Sequence, residues 1–178
     1  MADRSRKERI VSQIRDLLSK VANKDGAAFQ QLYDLFADRV YRYAFTILHD
    51  KHLAEEIAQE TMVAVWKSAD RFAGRSKAST WIFGIARNQA LTLLRKEKRI
   101  ETVAESEPVQ ADPSKHIIAH ERVMKALDEL SDDHREVVYL TYYEGLSYGE
   151  IAGILSIPPG TVKSRMFHAK RRLAEVLA

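Results

Sequence analysis

Apolar residues recur along this chain at intervals of three and four, the spacing of one face of a helix. Between Ile10 and Val21 they fall at Ile10, Ile14, Leu17, Leu18 and Val21. Behind Asp25 a second stretch sets Phe29, Leu32, Tyr33, Phe36, Val40, Tyr43, Ala44 and Ile47 on a common side. Behind Asp50 a third does the same with Leu53, Ile57, Thr61, Ala64 and Val65. Both aspartates are suited to accept the free amides at a helix start. A short loop, Phe72-Ala-Gly-Arg-Ser-Lys-Ala, leads to a fourth helix in which Trp81, Ile82, Ile85, Ala86 and Leu93 can be buried. No segment of this half alternates with period two, so no sheet is expected.

The second half keeps the same rhythm. His116 to Leu130 reads as one helix, and Ser131 is placed to cap the next, which stops at Gly145, a natural left-handed residue. Ser147 and Glu150 stand three apart, the spacing of a capping box in which each side chain satisfies the other's free amide. That helix runs to about Leu155. Ser156-Ile157-Pro158 makes a turn, and Pro159 or Thr161 opens a last helix. The expected fold is all-α, with two helical domains joined by a flexible acidic linker and a helix-turn-helix in the second.

Residues 100–114 supply that linker. They contain two prolines, four acids (Glu101, Glu105, Glu107, Asp112) and no base, and they lack apolar periodicity. The expected divisions are therefore 1–22, an added helix or a frayed tail; 23–99, a first domain; 100–114, the linker; and 115–178, a second domain. The net charge of +3 says little, but its distribution says more. Arg95, Lys96, Lys98 and Arg99 cluster before the linker. Lys163, Arg165, Lys170, Arg171 and Arg172 face one acid, Glu175, in the final stretch. Two basic segments around an acidic strip suit two contacts with a polyanion, although such runs also occur on plain solvated helix faces.

The chain has no cysteine, which excludes disulfides, thiolate zinc sites and thiol catalysis. The charged start is followed by no apolar core of a signal peptide, and no apolar run is long enough to span a bilayer. The expectation is a cytoplasmic protein without membrane insertion.

The segment from Ile151 to Val162 fits a helix-turn-helix. Ala152 is small where two helices must touch, Ser156 takes the turn position at which Gly is more usual, and Ile157 and Val162 supply the apolar contacts. The following helix would turn Thr161, Lys163, Ser164, Arg165, His168, Arg171 and Arg172 outward, suited to a major groove. An ordinary helical hairpin shares the small-residue spacing; the cap, the turn and the basic second helix together favour DNA.

Two blocks carry a wider resemblance. Leu127-Asp-Glu-Leu-Ser-Asp-Asp-His-Arg-Glu-Val-Val, Gly145-Leu-Ser-Tyr-Gly-Glu-Ile-Ala and Pro159-Gly-Thr-Val-Lys-Ser-Arg-Met-Phe-His-Ala-Lys-Arg-Arg-Leu resemble the fourth conserved region of extracytoplasmic-function (ECF) sigma factors. Ala54-Glu-Glu-Ile-Ala-Gln-Glu-Thr, Trp66, Phe72-Ala-Gly and Ser79-Thr-Trp-Ile-Phe-Gly-Ile-Ala-Arg-Asn resemble their second region. The resemblance covers residues 25–99 and 115–177, in the family's order. It implies an alternative sigma factor that binds core RNA polymerase, through the β′ clamp helices and the β flap. It further implies recognition of promoter DNA, help in melting it, and restraint by an anti-sigma factor.

By the same resemblance, Leu53, Glu55, Glu56, Ile57, Gln59 and Glu60 would contact polymerase. Minus-ten DNA would meet Phe72, Gly74, Arg75, Ser76, Lys77, Ser79, Thr80, Arg87, Asn88, Arg95, Lys96, Lys98 and Arg99. Minus-thirty-five DNA would meet Thr161, Lys163, Ser164, Arg165, His168, Arg171 and Arg172. Asn88 and the loop amides suit a base edge, whereas Trp81 and Phe83 read as core residues. The basic cluster would hold phosphates without reading sequence. One position departs from the family: Thr92 stands where an Asp is common, four residues after Asn88, so an ion pair that would fix the neighbouring bases is in doubt.

Two other readings compete. A helix-turn-helix regulator acting alone on duplex DNA explains the second half but not the Trp81–Asn88 block. A metal-dependent helical enzyme would draw on His49, His52, Glu55, Glu56 and Glu60, but no second Glu/His helix complements them. No phosphate loop, triad or nucleophile motif is present, so neither catalysis nor a cofactor is expected.

Overall fold

The structure, a computed structural model, describes residues 2–101 and 126–177, with side chains described for 8–97 and 126–177. The linker beyond residue 101 and most of the helix expected over His116–Leu130 lie outside the described residues. All regular structure among the described residues is helical: α1 (Ala2–Ala22), α2 (Gly26–Leu48), α3 (Lys51–Ser68), a 3-10 turn (Ala69–Arg71), α4 (Ala78–Glu101), α5 (Asp132–Tyr142), α6 (Tyr148–Leu155) and α7 (Pro159–Leu177). The chain divides into two compact units, Met1–Leu93 and Leu94–Ala178.

In the first unit, the helix starts follow from their caps. The Asp25 carboxylate accepts the Ala28 amide at 3.0 Å, and that of Asp50 accepts the Leu53 amide at 2.9 Å. α1 is a full partner of the bundle rather than an appendage. Ile14, Leu17, Leu18 and Val21 are buried while Ile10 stays exposed, and the helix packs on α2, α3 and the 3-10 turn. Each such buried side chain contributes about 1.5–3 kcal/mol, enough to hold a helix that propensity alone would leave marginal. The turn after α1 is locked by Lys24, held at φ +63°. Its ammonium donates to the Trp66 carbonyl at 2.8 Å and lies 5.2 Å from the Trp66 ring centre. A cation there offsets the negative end of the α3 dipole.

α4 closes the bundle. Phe83 is fully buried, edge-on to Tyr43 at 5.4 Å and to Phe36 at 6.3 Å. The buried Thr61 hydroxyl donates to Gln89 Oε1 at 2.7 Å, and Gln89 Nε2 donates to the Glu60 carbonyl at 3.4 Å. This pair ties α4 to α3. Ile85 and Leu93, expected in the core, are half-buried instead.

In the second unit, Ser131 does not cap as expected, and Arg135 closes a different helix end. Ser131 sits at the N-cap of α5, but its hydroxyl makes no capping hydrogen bond. The Arg135 guanidinium instead donates to the carbonyls of Leu127, Asp128 and Leu130 at 2.8–3.1 Å, closing the end of the short helical stretch 126–128. α5 ends at Tyr142, and Gly145, at φ +64°, turns the chain so that the Leu146 amide donates to the Leu140 carbonyl. The Ser147–Glu150 capping box is complete, with bonds of 2.8 and 3.3 Å. Ser156 adopts the left-handed conformation, φ 54° and ψ 43°, that lets α7 leave α6 sharply. Pro159 opens α7, where a missing amide costs nothing.

Candidate nucleic-acid and polymerase interface

The outer stripe of α3 is acidic. Glu55, Glu56, Gln59 and Glu60 are exposed and Leu53 is half-buried. Ile57, expected on the same surface, is only 2% exposed and belongs to the core; it shares its face with buried Ala54 and Thr61, three and four positions away. One residue not anticipated joins the stripe: Val63, 48% exposed, four positions beyond Gln59.

The loop before α4 is shaped by one aromatic pair and one glycine. The Phe72 ring packs on Trp81 at 5.4 Å, anchoring the loop to the first turn of the helix. Gly74 is at φ +67°, where a side chain would be strained. Arg75, Ser76 and Lys77 are exposed beyond it and Ser79 is half-buried. Thr80, expected to face DNA, is 8% exposed, and its hydroxyl has no hydrogen-bond partner among the described residues. It points inward because the first turn of α4 also buries Ala78 and Ile82.

Along α4, Trp81, Ile85, Asn88 and Thr92 form one stripe, directly opposite buried Phe83, Ala86 and Ala90. Trp81 is therefore half-buried at the edge of the exposed face, not the core residue it first appears, whereas Phe83 is core. Arg87 is half-buried on a flank, off the Asn88 stripe. The Thr92 hydroxyl donates to the Asn88 backbone carbonyl at 2.7 Å, a local helix bond, and Asn88 is exposed. Arg95 and Lys96 are exposed, while the side chains of Lys98 and Arg99 lie outside the described residues.

On α7 the core stripe is Val162, Met166 and Ala169. The opposite stripe is Ser164, Phe167, His168 and Arg171, all exposed. Phe167, 64% exposed, was missed by sequence reasoning; the signal was an apolar residue out of phase with the core. Lys163 is exposed on one flank and Thr161 is half-buried. Arg165 and Arg172 lie on the other flank and are engaged within the unit. Arg165 pairs with Asp133 at 2.6 Å and is 22% exposed. Arg172 meets Glu129 at 3.1 Å, and Arg171 meets Glu175 at 3.3 Å. The His168 ring stacks on His134 at 6.2 Å and meets Phe167 edge-on at 5.5 Å. The first turn of α5 thus braces two neighbouring side chains of the α7 surface.

Comparison with known proteins places both units. Residues 32–100 match the family Sigma-70 region 2, and residues 120–173 match Sigma-70, region 4. The ECF RNA polymerase sigma factor SigK of Mycobacterium tuberculosis is 32% identical over 179 residues, covering 95% of this chain and 96% of that protein. SigL, an ECF RNA polymerase sigma factor of the same species, is 33% identical over 163 residues, covering 88% and 92%. The chain belongs to the ECF RNA polymerase sigma factors. It is an alternative sigma factor, a transcription initiation factor that directs RNA polymerase to promoters.

Solved structures agree with the sigma-factor fold. The sigma factor RpoE of Bartonella quintana, crystallised with the anti-sigma factor NepR, is 31% identical with a TM-score of 0.72, over 84% of this chain and 96% of that one. CnrH, in complex with the cytosolic domain of CnrY, is 25% identical with a TM-score of 0.69, over 93% and 97%. In this sigma factor the region 2 match holds α3, the loop and nearly all of α4, and the region 4 match holds α5, α6 and most of α7; α1 lies outside both. Among the described residues no group of three or more His, Asp or Glu side chains converges as a metal site, and no helix is long and apolar enough to cross a membrane.

Proposed function

We propose that the two units divide promoter recognition between them. The first unit docks on the β′ clamp helices through Glu55, Glu56, Gln59 and Glu60, with Leu53 at the margin; acids on that stripe pair with basic partners and set orientation and on-rate. The loop from Phe72 to Lys77 and the α4 stripe around Asn88 take the melted minus-ten strand. Arg95, Lys96, Lys98 and Arg99 hold its phosphates. Extruding a base costs a few kcal/mol of stacking, and an aromatic wall such as Trp81 returns about 1–3 kcal/mol per base. The second unit meets the β flap and reads the minus-thirty-five duplex with Ser164, Phe167, His168 and Arg171, flanked by Lys163, Arg165 and Arg172.

The observation that carries this reading is a pair of stripes, each opposite a core stripe of the same helix: half-buried Trp81 and Ile85 with exposed Asn88 and Thr92 on α4, and exposed Ser164, Phe167, His168 and Arg171 on α7. The chain performs no covalent step of its own, works in the cytoplasm, and is held in check by an anti-sigma factor; the complex of its structural relative RpoE with the anti-sigma factor NepR supports the last point. Run-off transcription with purified core polymerase, this chain and sheared genomic DNA tests the proposal. Specific start sites that appear only when the chain is added are expected; none at all refutes it.

A further inference from the structure

α1 has no part in the reading above, yet its docked position brings one charged side chain to the minus-ten loop. Burial of Leu17, Leu18 and Val21 fixes which side of α1 faces the bundle. Arg15 is thereby laid across Gly74. A Cβ placed on Gly74 would stand 2.9 Å from Arg15 Nη2 and 3.6 Å from its Cζ, so the loop backbone is bare where the guanidinium crosses it. Gly74 thus answers two demands at once, the positive φ and the close approach. Arg15 also lies between two clefts. One, of about 310 Å³, is lined by Arg15, Leu18, Ser19, Asp70, Phe72 and Gly74. The other, of about 350 Å³, runs from Arg15 past Val11 and Ser12 to Lys77. Asp70 is the acid of the first cleft and Glu8 that of the second, yet the Arg15 guanidinium pairs with neither.

We infer that Arg15 and the loop it crosses form a phosphodiester site for single-stranded DNA, with α1 as its second wall. Arg15 is the cation that carries the site, and a guanidinium offers a phosphate two parallel donors. Lys77 lines the same cleft but is already engaged, as is Glu8. The strand leaving the loop passes Arg15, so α1 extends the minus-ten surface toward the next nucleotide. This rests on the minus-ten reading proposed above. Duplex DNA is the competing ligand: it carries the same phosphates, but its stacked bases keep its backbone out of a loop-sized cleft.

The test uses the full chain bound to core polymerase and a promoter recovered by run-off transcription. One probe carries a non-complementary bubble over the minus-ten element and the other is fully paired, with initial binding of the closed form read at low temperature. Each single-strand phosphate contact contributes about −0.7 to the slope of log K against log salt. Arg15→Ala is expected to make the bubble slope shallower by about that amount and to weaken binding about fivefold, as expected for one charge-assisted contact. Arg15→Lys should keep the slope, and the paired probe should not respond to either change. Arg95→Ala is the control for the parent reading. A wild-type slope for Arg15→Ala beside a shallower one for Arg95→Ala overturns the inference and leaves the minus-ten reading standing. Wild-type slopes for both sink the parent reading. An equal loss on the paired probe overturns the single-strand assignment. An unchanged melting temperature for Arg15→Ala separates loss of a contact from loss of the fold.

Discussion

Asp133 is the residue whose replacement best tests how α7 reads DNA. Its carboxylate holds Arg165 at 2.6 Å, with the carboxylate side chain 58% and the guanidinium 22% exposed. An ion pair this open contributes about 0.2–1 kcal/mol to stability, so Asp133→Asn should lower the melting temperature little. Its effect on DNA should be larger and of two signs. Removing one negative charge beside the helix lets Arg165 swing to the nearest phosphate. Each duplex phosphate so neutralised steepens the salt slope by about 0.9, so affinity for unrelated duplex rises. At the same time the guanidinium loses its fixed direction. A well-aimed base contact supplies about 1–3 kcal/mol of discrimination, and losing about 1 kcal/mol of it reduces the specific-to-nonspecific ratio about fivefold. Fluorescence anisotropy with a minus-thirty-five duplex and a scrambled duplex, over a salt series, measures both. In an Arg165→Ala background Asp133→Asn should have no further effect on the ratio, since coupled residues are non-additive. A single variant that weakens binding to both duplexes equally, or that leaves the ratio unchanged, refutes the bracing argument.

Three further outcomes follow from burial and capping. Ile57→Ala should destabilise the first unit by about 2–5 kcal/mol, whereas Glu56→Lys should leave its melting curve unchanged and slow association with core polymerase, measured by stopped-flow. Ser147→Ala removes half of a complete capping box and should cost about 0.5–2 kcal/mol, seen by urea unfolding of the second unit followed by tyrosine fluorescence. Phe167→Ala should keep the urea midpoint and weaken minus-thirty-five binding, while Met166→Ala should do the reverse, costing about 2–5 kcal/mol of stability; loss of stability without loss of DNA binding in the Phe167 variant would exclude that ring from the interface.

The helices and most of their ends were legible because each depends on residues within one turn. Asp25, Asp50, Ser147 with Glu150, Ser156 and Pro159 all act on amides or carbonyls a few positions away, and all behave as the spacing says. Where a cap depended on a distant side chain, sequence failed. Ser131 has the right identity and position for the start of α5, yet its hydroxyl makes no capping hydrogen bond, and the carbonyls that end the preceding helical stretch are met by Arg135 from up to eight positions away. The role of α1 was hidden for the same reason. Its apolar positions were plain, but only packing on α2, α3 and the 3-10 turn shows that they have a partner and that Arg15 is carried to the loop.

The candidate surfaces were legible in composition and misread in direction. A basic run names the residues that can meet a phosphate without saying which way they point. On α7 the exposed arc is wide, and its flanks are contested: Arg165 and Arg172 turn toward Asp133 and Glu129 because α5 and the stretch before it pass that side. The centre of the arc is set by a different rule, opposition to Val162, Met166 and Ala169, and that rule was available in the sequence. Applied strictly, it would have placed Phe167 outward and Ile57 inward. An apolar residue out of phase with its helix costs solubility wherever it is exposed. Phe167 at 64% and Val63 at 48% exposure lie on the two surfaces proposed above to meet DNA and polymerase. Phase against the core, rather than charge, therefore says which side chains of α3 and α7 are free to meet the partners proposed for them.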